Sequence, residues 1–582
     1  MSPRTHRRGR LVRLLVACLL TLPAAAVLAP GAAHAADPPP TVVYQAEDAA
    51  LDGVTVGTSV PGYQGTGYAE GFDTASDKVT FTVPDSPGGL YSLSIRYDGP
   101  YGDKKTNLLV NDAGVGEISL PGTTDWTDAA AGNVLLKAGT NTVTVVNDWG
   151  WYLIDSISLT PAPPRPPHQV TGELTDPQAT PEAKSLMKYL TAHYGQDILS
   201  GQQGAADESW VEDSVGKAPA IEGLDMMDYS PSRVERGATS TETENALAWD
   251  ARGGIVTFCW HWNAPSGLID QPGKEWWRGF YTDSTTFDLQ AALADPSGTD
   301  YQLLLRDIDA IAVQLGRLQD AGVPVIWRPL HEAEGGWFWW GAKGPEPAKA
   351  LYRLMHDRLT RVDGIHNLVW QWNSVDPAWY PGDDVVDMVS ADSYPQAGDH
   401  GPVALTYDHE LSLTGDTKVA ALAEVGTIPD PDLLRAYQAQ WSYFVAWSGS
   451  EQDPASNDLD FLKRVYADPY VVTLDELGDV KHYGDCTATY VVTADWGNAF
   501  VANVTVTAGP RDVNGWEVSW DYGGGQRAGG GWSATLTQHG TRVTATNADY
   551  DGHLAAGGST TFGFLGSYSG SNPPPTLTCT AR

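Results

Sequence analysis

The stretch Val323-Pro-Val-Ile-Trp-Arg-Pro-Leu-His-Glu332 decides how the middle of this 582-residue chain folds. Its first five residues form a short apolar run that is typical of a buried strand. Arg328, His331 and Glu332 then stand where that strand would end, and four aromatic residues follow, from Trp337 to Trp340. In a (β/α)₈ barrel the catalytic groups lie at the carboxyl ends of the strands. The stretch therefore predicts a barrel strand with reactive groups at its mouth.

A second stretch, Val419-Ala-Ala-Leu-Ala-Glu-Val-Gly426, repeats this pattern and places Glu424 near its end. A lone glutamate at a strand end is usually a solvated charge or half of an ion pair. Two such glutamates in one barrel, the first among His, Arg and Trp residues, favour chemistry instead. Two carboxyl groups at the carboxyl ends of two parallel strands can flank one glycosidic bond. One then protonates the leaving oxygen while the other attacks the anomeric carbon.

Apolar strands alternate with helical stretches over residues 176–478, which we interpret as one catalytic domain. The helical stretch with the clearest periodicity runs from Tyr301 to Ala321. Eight strands in about 300 residues is the count of a TIM barrel. In order, they are predicted at 197–201, 218–224, 254–260, 323–329, 367–372, 385–391, 419–424 and 443–447. Glu332 then follows the fourth strand and Glu424 ends the seventh.

Short alternating runs separated by Gly, Pro, Asn and Asp flank this domain on both sides. They cover residues 41–161 and 484–582, and they are typical of half-buried strands in β-sandwiches. The proline-rich segment Pro161-Ala-Pro-Pro-Arg-Pro-Pro167 predicts a stiff, extended linker over residues 162–175. The predicted fold class is therefore multidomain: a (β/α)₈ TIM barrel flanked by two all-β sandwich domains.

The amino terminus predicts export. A basic segment from Arg4 to Arg13 precedes an apolar run from Leu14 to Leu28, and Ala33-His-Ala35 supplies a cleavage motif. We interpret residues 1–35 as a secretory signal peptide. A membrane anchor is the weaker alternative, because the run is short for a bilayer span. The net charge of −36 argues against nucleic acid as a partner and agrees with an uncharged substrate.

The four cysteines suit an exported protein. Cys486 and Cys579 bracket the last domain, and the pair predicts a disulfide bond that closes it. Cys259 lies inside an apolar strand and is interpreted as a buried thiol, while Cys18 leaves with the signal. No Cys/His spacing of a zinc site occurs in the sequence.

Further strand-end residues accompany the two glutamates. His261 follows the third strand, Asp392 and Tyr394 follow the sixth, and Trp447 ends the eighth. Each alone would be an ordinary loop or core residue, and their shared position is what selects them. Tyr394 is expected to donate a hydrogen bond to a nucleophilic carboxylate, Arg328 to stabilise it electrostatically, and Trp447 to form a floor beneath the sugar.

The barrel resembles family 26 of the glycoside hydrolases, whose commonest activity is endo-β-1,4-mannanase. The matching motifs are Leu199-Ser-Gly-Gln-Gln203, Trp260-His261, Trp327-Arg-Pro-Leu-His-Glu332 with Trp337, Asp392-Ser-Tyr394 and Ala423-Glu424. The resemblance implies that Glu332 is the acid/base and Glu424 the nucleophile of a retaining reaction, with carboxyl groups about 5–5.5 Å apart. It also implies substrate-binding roles for His261, Arg328, His331, Trp337, Asp392, Tyr394 and Trp447.

The first sandwich resembles carbohydrate-binding module family 35. The motifs are Tyr44-Gln-Ala-Glu-Asp48, Gly65-Thr-Gly-Tyr68 and Asn147-Asp-Trp-Gly-Trp-Tyr-Leu-Ile-Asp155. The resemblance implies a structural Ca²⁺ held by Gln45, Glu47 and Asp155, whose oxygen donors suit that ion. An ordinary acid cluster at a strand edge is the alternative. The implied sugar contacts are Tyr68, Asn147, and Trp149 or Trp151.

The last sandwich resembles carbohydrate-binding module family 2, which binds cellulose with a flat row of aromatic side chains. The motifs are the flanking cysteines, Asp495-Trp-Gly-Asn-Ala-Phe500, Gly515-Trp-Glu-Val-Ser-Trp520, Gly531-Trp532 and Asn547-Ala-Asp-Tyr550. The resemblance implies that Trp496, Trp532 and Tyr550 form the row, with Tyr550 where tryptophan is usual. Trp516 is interpreted as a core residue.

Together these resemblances imply a secreted, extracellular endo-β-1,4-mannanase that needs no cofactor for catalysis. Its expected partners are plant cell-wall polysaccharides: mannan, glucomannan or galactomannan as substrate, and cellulose at the last module. We expect a monomer with no nucleic-acid or membrane partner. Two alternatives remain open at this point: a hydrolase of the same fold acting on β-1,3-xylan or mixed-linkage β-glucan, and a non-catalytic wall-binding protein.

Overall fold

The computed structural model describes residues 40–509, 512–523 and 525–581. The predicted signal peptide, residues 1–35, lies outside this range. Within it, no helix combines the length and the apolar character needed to cross a bilayer.

The amino-terminal domain is all-β, as predicted. Its described strands form one strongly bent sheet in the order β3-β4-β9-β5-β8-β6-β7, with β1 on β9 and β2 on β5. They are β1 (Val42–Gln45), β2 (Ala50–Asp52), β3 (Thr55–Gly57), β4 (Tyr68–Glu70), β5 (Lys78–Asp98), β6 (Lys104–Val110), β7 (Ala113–Leu120), β8 (Thr127–Trp149) and β9 (Leu153–Pro161). The long strands β5 and β8 pair with each other across register shifts near Ser86 and Ser94. Such bulges bend a strand, so one long strand can pair with different neighbouring strands along its length.

Eight of the described strands of the middle domain close into a parallel barrel in chain order, which confirms the predicted TIM fold. They are β11 (Gly201–Gln203), β12 (Ile221–Asp225), β13 (Ile255–Trp260), β14 (Val325–Pro329), β15 (Leu368–Asn373), β16 (Met388–Ser393), β17 (Val419–Val425) and β18 (Phe444–Ala446). β10 (Ile198–Leu199) and β19 (Val471–Val472) pair outside the barrel. Glu332 follows the fourth barrel strand and Glu424 lies on the seventh.

Helices cover the outside of the barrel. They are α1 (Pro181–His193), α2 (Ala205–Val215), α3 (Pro231–Val234), α4 (Glu242–Ala251), α5 (Leu289–Ala294), α6 (Thr299–Asp320), α7 (Pro345–Asp357), α8 (Ala404–Thr414), α9 (Pro431–Tyr437) and α10 (Leu459–Ala467). In α6 the predicted apolar stripe is the buried one, from Leu304 to Leu318. α1 begins after Thr180, whose hydroxyl accepts a hydrogen bond from the amide of Ala183.

The carboxy-terminal domain consists of two described four-stranded antiparallel sheets, β20-β21-β26-β23 and β24-β25-β22-β27. Its strands are β20 (Cys486–Asp495), β21 (Ala499–Ala508), β22 (Trp516–Asp521), β23 (Arg527–Trp532), β24 (Ala534–His539), β25 (Arg542–Asn547), β26 (Ser559–Ser567) and β27 (Thr578–Ala581). The Cys486–Cys579 disulfide is present as predicted and joins the first strand to the last.

The amino-terminal domain and the barrel share one continuous hydrophobic core, whereas the carboxy-terminal domain has a core of its own. At the shared interface, β7 and β8 pack on α8 and on the loop before it. A β carbon at Gly401 of that loop would lie 2.4 Å from the carbonyl oxygen of Gly114. The linker residue Arg165 adds an ion pair of 2.6 Å with Asp408 of α8. At position 401, only glycine permits the loop backbone to come so close to the backbone of β7 at Gly114.

Candidate active site

A buried arginine joins two strand ends at the mouth of the barrel. Arg328, on β14, donates from Nη1 to Asp392 Oδ2 at 2.9 Å and from Nη2 to Glu424 Oε1. A parallel pairing with a register shift after Ala391 sets Asp392 beside Glu424 on adjacent strands. All three charged side chains are buried. A buried carboxylate persists only where such partners satisfy it, so Arg328 is the electrostatic centre of the site.

Glu424 has a second donor. The hydroxyl of Tyr394 donates to Glu424 Oε2 at 2.6 Å, while Arg328 donates to the other oxygen. Both carboxylate oxygens of Glu424 therefore accept a hydrogen bond. Hydrogen bonds to the charged form favour that form. This arrangement is the one expected from the sequence for a nucleophilic carboxylate.

Glu332 is held by a strained turn. Leu330 and Glu332 have φ angles of 57° and 52°, so two side-chain-bearing residues adopt the left-handed conformation immediately after β14. Non-glycine residues seldom occupy this region, and they cluster at functional sites when they do. The amide of Glu332 donates to Asn373 Oδ1 at 2.9 Å, which fixes the turn from the next strand.

The carboxyl group of Glu332 has a different environment from that of Glu424. Trp337 Nε1 donates to Glu332 Oε2 at 3.0 Å. Burial raises the pKa of Glu332, and the charge of Glu424 raises it further, while the Trp337 hydrogen bond and Arg328 oppose the shift. The net displacement is upward, as required of a carboxylic acid that donates a proton.

The three carboxyl groups are close together. One oxygen each from Glu332, Asp392 and Glu424 lies within 4.8 Å of the others. Burial raises the pKa of Asp392 well above its ordinary value against the opposing effect of Arg328. Burial thus raises the pKa of two members of the cluster, Glu332 and Asp392, whereas each carboxylate oxygen of the third, Glu424, accepts a hydrogen bond.

Asn373 and Asp225 are site residues that the sequence analysis did not identify. Asn373, at the end of β15, donates from Nδ2 to Asp392 Oδ1 at 2.9 Å while its Oδ1 receives the amide of Glu332. Asp225, at the end of β12, accepts from His261 Nδ1 at 2.7 Å. Both stand at carboxyl ends of barrel strands, so the position that selected His261 and Asp392 could have selected them as well.

Two histidines form one side of the site. His331 Nε2 lies 3.1 Å from His261 Nε2 and 4.0 Å from Glu424 Oε1. Burial and the neighbouring His261 lower the pKa of His331 well below its ordinary value. Burial also lowers the pKa of His261, but Asp225 outweighs this effect and the net shift is upward. The two pKa shifts are therefore opposite in direction: the surroundings favour a proton on His261 and disfavour one on His331.

Aromatic side chains surround these groups. Trp447 follows β18, with its ring centroid 5.8 Å from that of His261, and Phe338 lies 5.4 Å from the same ring. Trp337 and Tyr394 are about half exposed at the mouth. The structure thus brings all nine residues predicted from the barrel into one site: His261, Arg328, His331, Glu332, Trp337, Asp392, Tyr394, Glu424 and Trp447.

In the amino-terminal domain the predicted sugar contacts separate into two groups. Tyr68 is fully buried, and Asn147 is buried with its Nδ2 donating to the carbonyl of Thr74 at 2.9 Å. Both side chains are thus largely removed from solvent, although Asn147 Oδ1 has no hydrogen-bond partner among the described residues, and their role in sugar binding stays a prediction. Trp149 and Trp151 are exposed. Trp151 also lines a cavity of about 410 Å³.

The predicted calcium ligands lie near one another. Gln45 Oε1 and Glu47 Oε2 are buried and have no hydrogen-bond partner among the residues that the structure describes, and both side chains approach Gly65. Asp155 is fully buried, and its carboxylate oxygen Oδ2 lies 3.1 Å from Arg96 Nε. Burial raises the pKa of Asp155, and the charge of Glu47 raises it further. Buried oxygens without partners are costly in a protein interior. The oxygen donors of Gln45 and Glu47 therefore fit a hard cation, while Asp155 is already partnered by Arg96.

In the carboxy-terminal domain, Trp496, Trp532 and Tyr550 are all exposed, at 62%, 49% and 76%. Tyr550 donates to the Ser533 hydroxyl oxygen at 3.2 Å, or accepts from it. Trp516 is fully buried and belongs to the core. The contact with Ser533 places Tyr550 near the residue that follows Trp532, and large aromatic side chains exposed together in this way are typical of binding sites.

Sequence comparisons match each domain to a known family. The profile of glycosyl hydrolase family 26 matches residues 175–476, that of carbohydrate binding module family 35 matches residues 42–162, and that of a cellulose binding domain matches residues 486–581.

Relatives of known identity match across the first two domains together. A mannan endo-1,4-beta-mannosidase of Thermothelomyces thermophilus is 51% identical over 81% of this chain and 98% of its own. The crystal structure of a GH26-CBM35 beta-(1,4)-mannanase from Podospora anserina is 53% identical, covers 76% of this chain and 99% of its own, and has a TM-score of 0.57. A ruminal GH26 endo-beta-1,4-mannanase structure is 30% identical, with 76% and 98% coverage and a TM-score of 0.58.

Proposed function

Because this chain belongs to glycosyl hydrolase family 26, we propose that it is an endo-β-1,4-mannanase whose reaction is carried by Glu332 and Glu424. The observation that carries the assignment of roles is the contrast between the two carboxyl groups. Glu424 accepts hydrogen bonds from Arg328 and Tyr394, whereas burial raises the pKa of Glu332. The first environment suits a nucleophile and the second suits an acid.

In the first step, Glu424 attacks the anomeric carbon of a β-mannosyl unit. A carbon–oxygen bond forms to the carboxylate while the glycosidic bond breaks, and Glu332 gives its proton to the departing oxygen. The negative charge of Glu424 is consumed in this step. Arg328 and Tyr394 hold the carboxylate in place beforehand, so little reorganisation is needed as the bond forms.

In the second step, the ionised Glu332 removes a proton from water, and the oxygen of that water attacks the anomeric carbon. The bond to Glu424 breaks and its carboxylate is regenerated, while Glu332 is protonated for the next cycle. Two inversions at one carbon retain the configuration. The carboxyl spacing supports this course, because an inverting pair needs about 6.5–9.5 Å to hold a water molecule.

The histidines, the aromatic residues and Asp392 would bind the sugar rather than react. Burial and His261 lower the pKa of His331, which favours a neutral ring that can hydrogen-bond a hydroxyl group without adding a charge near Glu424. Trp447 would form the floor beneath the attacked sugar, and the half-exposed Trp337 would contact the unit beyond the cleaved bond. Asn373 and Asp225 hold Glu332 and His261 in place.

The two flanking domains would keep the enzyme on the plant cell wall. The exposed Trp496, Trp532 and Tyr550 support cellulose binding by the last domain. Gln45 and Glu47 would hold a structural Ca²⁺ in the first domain through their unpartnered buried oxygens, and Asp155, the third predicted ligand, would have to share its carboxylate with Arg96. We propose the sequence boundaries 41–161, 176–478 and 484–582 for the three domains, export by residues 1–35, and a monomer.

The experiment that tests this function is reducing-sugar release by the mature protein from glucomannan, galactomannan, β-1,3-xylan and barley β-glucan, with Glu424→Ala as control. We expect release from the two mannans, shortened chains throughout the polymer, and loss of release in the variant. Release from β-1,3-xylan or β-glucan alone would keep the mechanism and overturn the substrate. No release from any of them would favour a non-catalytic wall-binding protein.

A further inference from the structure

A second cluster of reactive side chains lies beside the glutamates. It consists of Asp225, Cys259 and His261, and a donor atom from each lies within 4.8 Å of the other two. The carboxylate Oδ2 of Asp225 is 2.7 Å from His261 Nδ1, and Cys259 Sγ is 4.0 Å from the same nitrogen. Asp225 and Cys259 are paired residues of the adjacent strands β12 and β13. Neither of them reacts in the proposed mechanism.

We propose that these three side chains form a binding site for a thiophilic divalent cation such as Zn²⁺, and that occupation of this site inhibits hydrolysis. Thiolate, imidazole and carboxylate are the ligands that zinc uses in proteins, and three protein ligands with one open position make a complete site. Bonds of about 2.0–2.3 Å place tetrahedral donor atoms roughly 3.3–3.7 Å apart. The present separations of 2.7 and 4.0 Å bracket this range, so shifts below about 1 Å would be sufficient.

The charges balance when a divalent cation binds. The ion displaces the proton of the Cys259 thiol, and the nitrogen Nδ1 of His261 coordinates it without a proton, so at least one proton leaves for each ion. A divalent cation with one thiolate and one carboxylate is neutral overall, which suits a site of low exposure. His261 keeps its other proton on Nε2, next to His331. The path to solvent is at Asp225, whose side chain is 18% exposed.

Proton release makes the affinity depend steeply on pH. Burial raises the pKa of Cys259 well above its ordinary value, and Asp225 raises it further, while Arg328 opposes the shift. Because a thiol must lose its proton to coordinate a metal ion, apparent affinity should rise with pH by at least about 10-fold per unit while that proton is in place. The titratable and charged groups that face Cys259 and His261 come from β12, β14, β16 and β17 and the turn after β14. They are Asp225, Arg328, His331, Glu332, Asp392 and Glu424.

Inhibition would act through His261. A bound ion draws Nδ1 away from Asp225 and turns the ring whose Nε2 lies 3.1 Å from His331. The sugar-binding side of the site is then displaced, although Glu332 and Glu424 are untouched. Ca²⁺ and Mg²⁺ prefer oxygen ligands alone and should leave hydrolysis unchanged through this site.

The first test measures binding without reference to activity. Co²⁺ is added to the full chain, and the charge-transfer absorption of a cobalt–thiolate bond is recorded for the wild type and for Cys259→Ser. We expect one equivalent of absorbing Co²⁺ in the wild type, its displacement by Zn²⁺, and no such absorption in the variant. Cys259→Ala serves if the serine variant does not fold. Absence of the absorption in the folded wild type would overturn the proposal.

The second test measures inhibition and rests on the proposed mannanase activity. Hydrolysis of a soluble manno-oligosaccharide is followed against Zn²⁺ concentration at two pH values. We expect EDTA-reversible inhibition that tightens with pH, and at least a tenfold weaker effect in Cys259→Ser, which retains its metal-free activity. Equal inhibition of both proteins would place the effect elsewhere on this acidic chain and overturn the proposal. If the metal-free enzyme hydrolyses no mannan, the proposed function fails, and the cobalt absorption still decides the site.

Discussion

Glu332 and Glu424 are the same residue type at the ends of the fourth and seventh strands of one barrel, yet their surroundings differ. Glu424 receives the guanidinium of Arg328 and the hydroxyl of Tyr394, one on each oxygen. The carboxyl group of Glu332 receives the indole N–H of Trp337 as its one donor in the described part of the chain, and burial together with the charge of Glu424 acts against its ionisation. The comparison shows that hydrogen-bond donors and burial, rather than residue type, divide the roles of acid and nucleophile.

The largest expected effect comes from removing either carboxylate and supplying a small anion instead. Glu424→Ala should lose about 10⁴-fold or more of kcat, because no atom remains to attack the anomeric carbon. With azide and an aryl β-mannoside, this variant should form the α-mannosyl azide, and Glu332→Ala should form the β-mannosyl azide. Product anomers identified by NMR check both roles, and the same anomer from both variants would contradict the assignment.

Arg328→Met should be next in size. It leaves Asp392 and Glu424 buried without their shared cation, which should cost about 3–5 kcal/mol of the free energy of unfolding. Denaturant unfolding measures this change, and kcat should fall with it. Arg328→Lys is the matched control, since it keeps the charge but cannot reach both carboxylates in the same forked geometry. Equal stability of the methionine variant and the wild type would show that the ion pairs contribute no net stability.

Tyr394→Phe should have an intermediate effect. It removes one hydrogen bond to the carboxylate of Glu424, worth about 1.5–3 kcal/mol, and should lower kcat by roughly 10- to 100-fold. KM should change less, because the hydroxyl contacts the nucleophile. The ratio of these two effects is measured by steady-state kinetics on manno-oligosaccharides. A change in KM alone would assign Tyr394 to substrate binding.

The smallest expected effect comes from a substitution beside Glu332, the acid of the pair. Trp337→Phe removes the hydrogen bond that stabilises the ionised form of Glu332, so the pKa of Glu332 should rise further. The alkaline limb of kcat/KM, which reports loss of the proton from the acid, should then move to higher pH by about half a unit to one unit. The remote, exposed Trp149→Phe should leave this limb in place. A shift to lower pH would contradict the assignment of the limb to Glu332.

The sequence pattern located the barrel and its mouth because both depend on local signals. The strand predicted at 323–329 is β14 (Val325–Pro329), and the polar residues after it do converge. Asn373 and Asp225 share the strand-end position that selected His261 and Asp392, but only their contacts with neighbouring strands show what they do, and no local pattern reports those contacts. In the first domain, the alternating runs at 78–83 and 91–97 are separated by turn-forming residues in the sequence, but both belong to one strand, β5, because the residues between them are accommodated in a bulge.

The burial of Tyr68 and Asn147 has the same cause. Tyr68 and Asn147 lie in motifs that resemble binding loops, but at the ends of bent strands the pattern does not specify which face a side chain occupies. In the structure, packing takes both of them inward and leaves Trp149 and Trp151 outside. Burial at a sheet corner depends on the curvature of the whole sheet, which residues far along the chain determine.

The continuous core between the first domain and the barrel has a consequence for enzyme engineering. Carbohydrate-binding modules are commonly exchanged between enzymes as separate parts, and the carboxy-terminal domain, with its own core and disulfide, suits that use. The amino-terminal domain does not. Its removal would uncover the apolar face of α8 and leave Asp408 without Arg165, and a substitute would need a glycine opposite Gly401. In any exchange of domains between enzymes, the first two domains therefore have to be moved together.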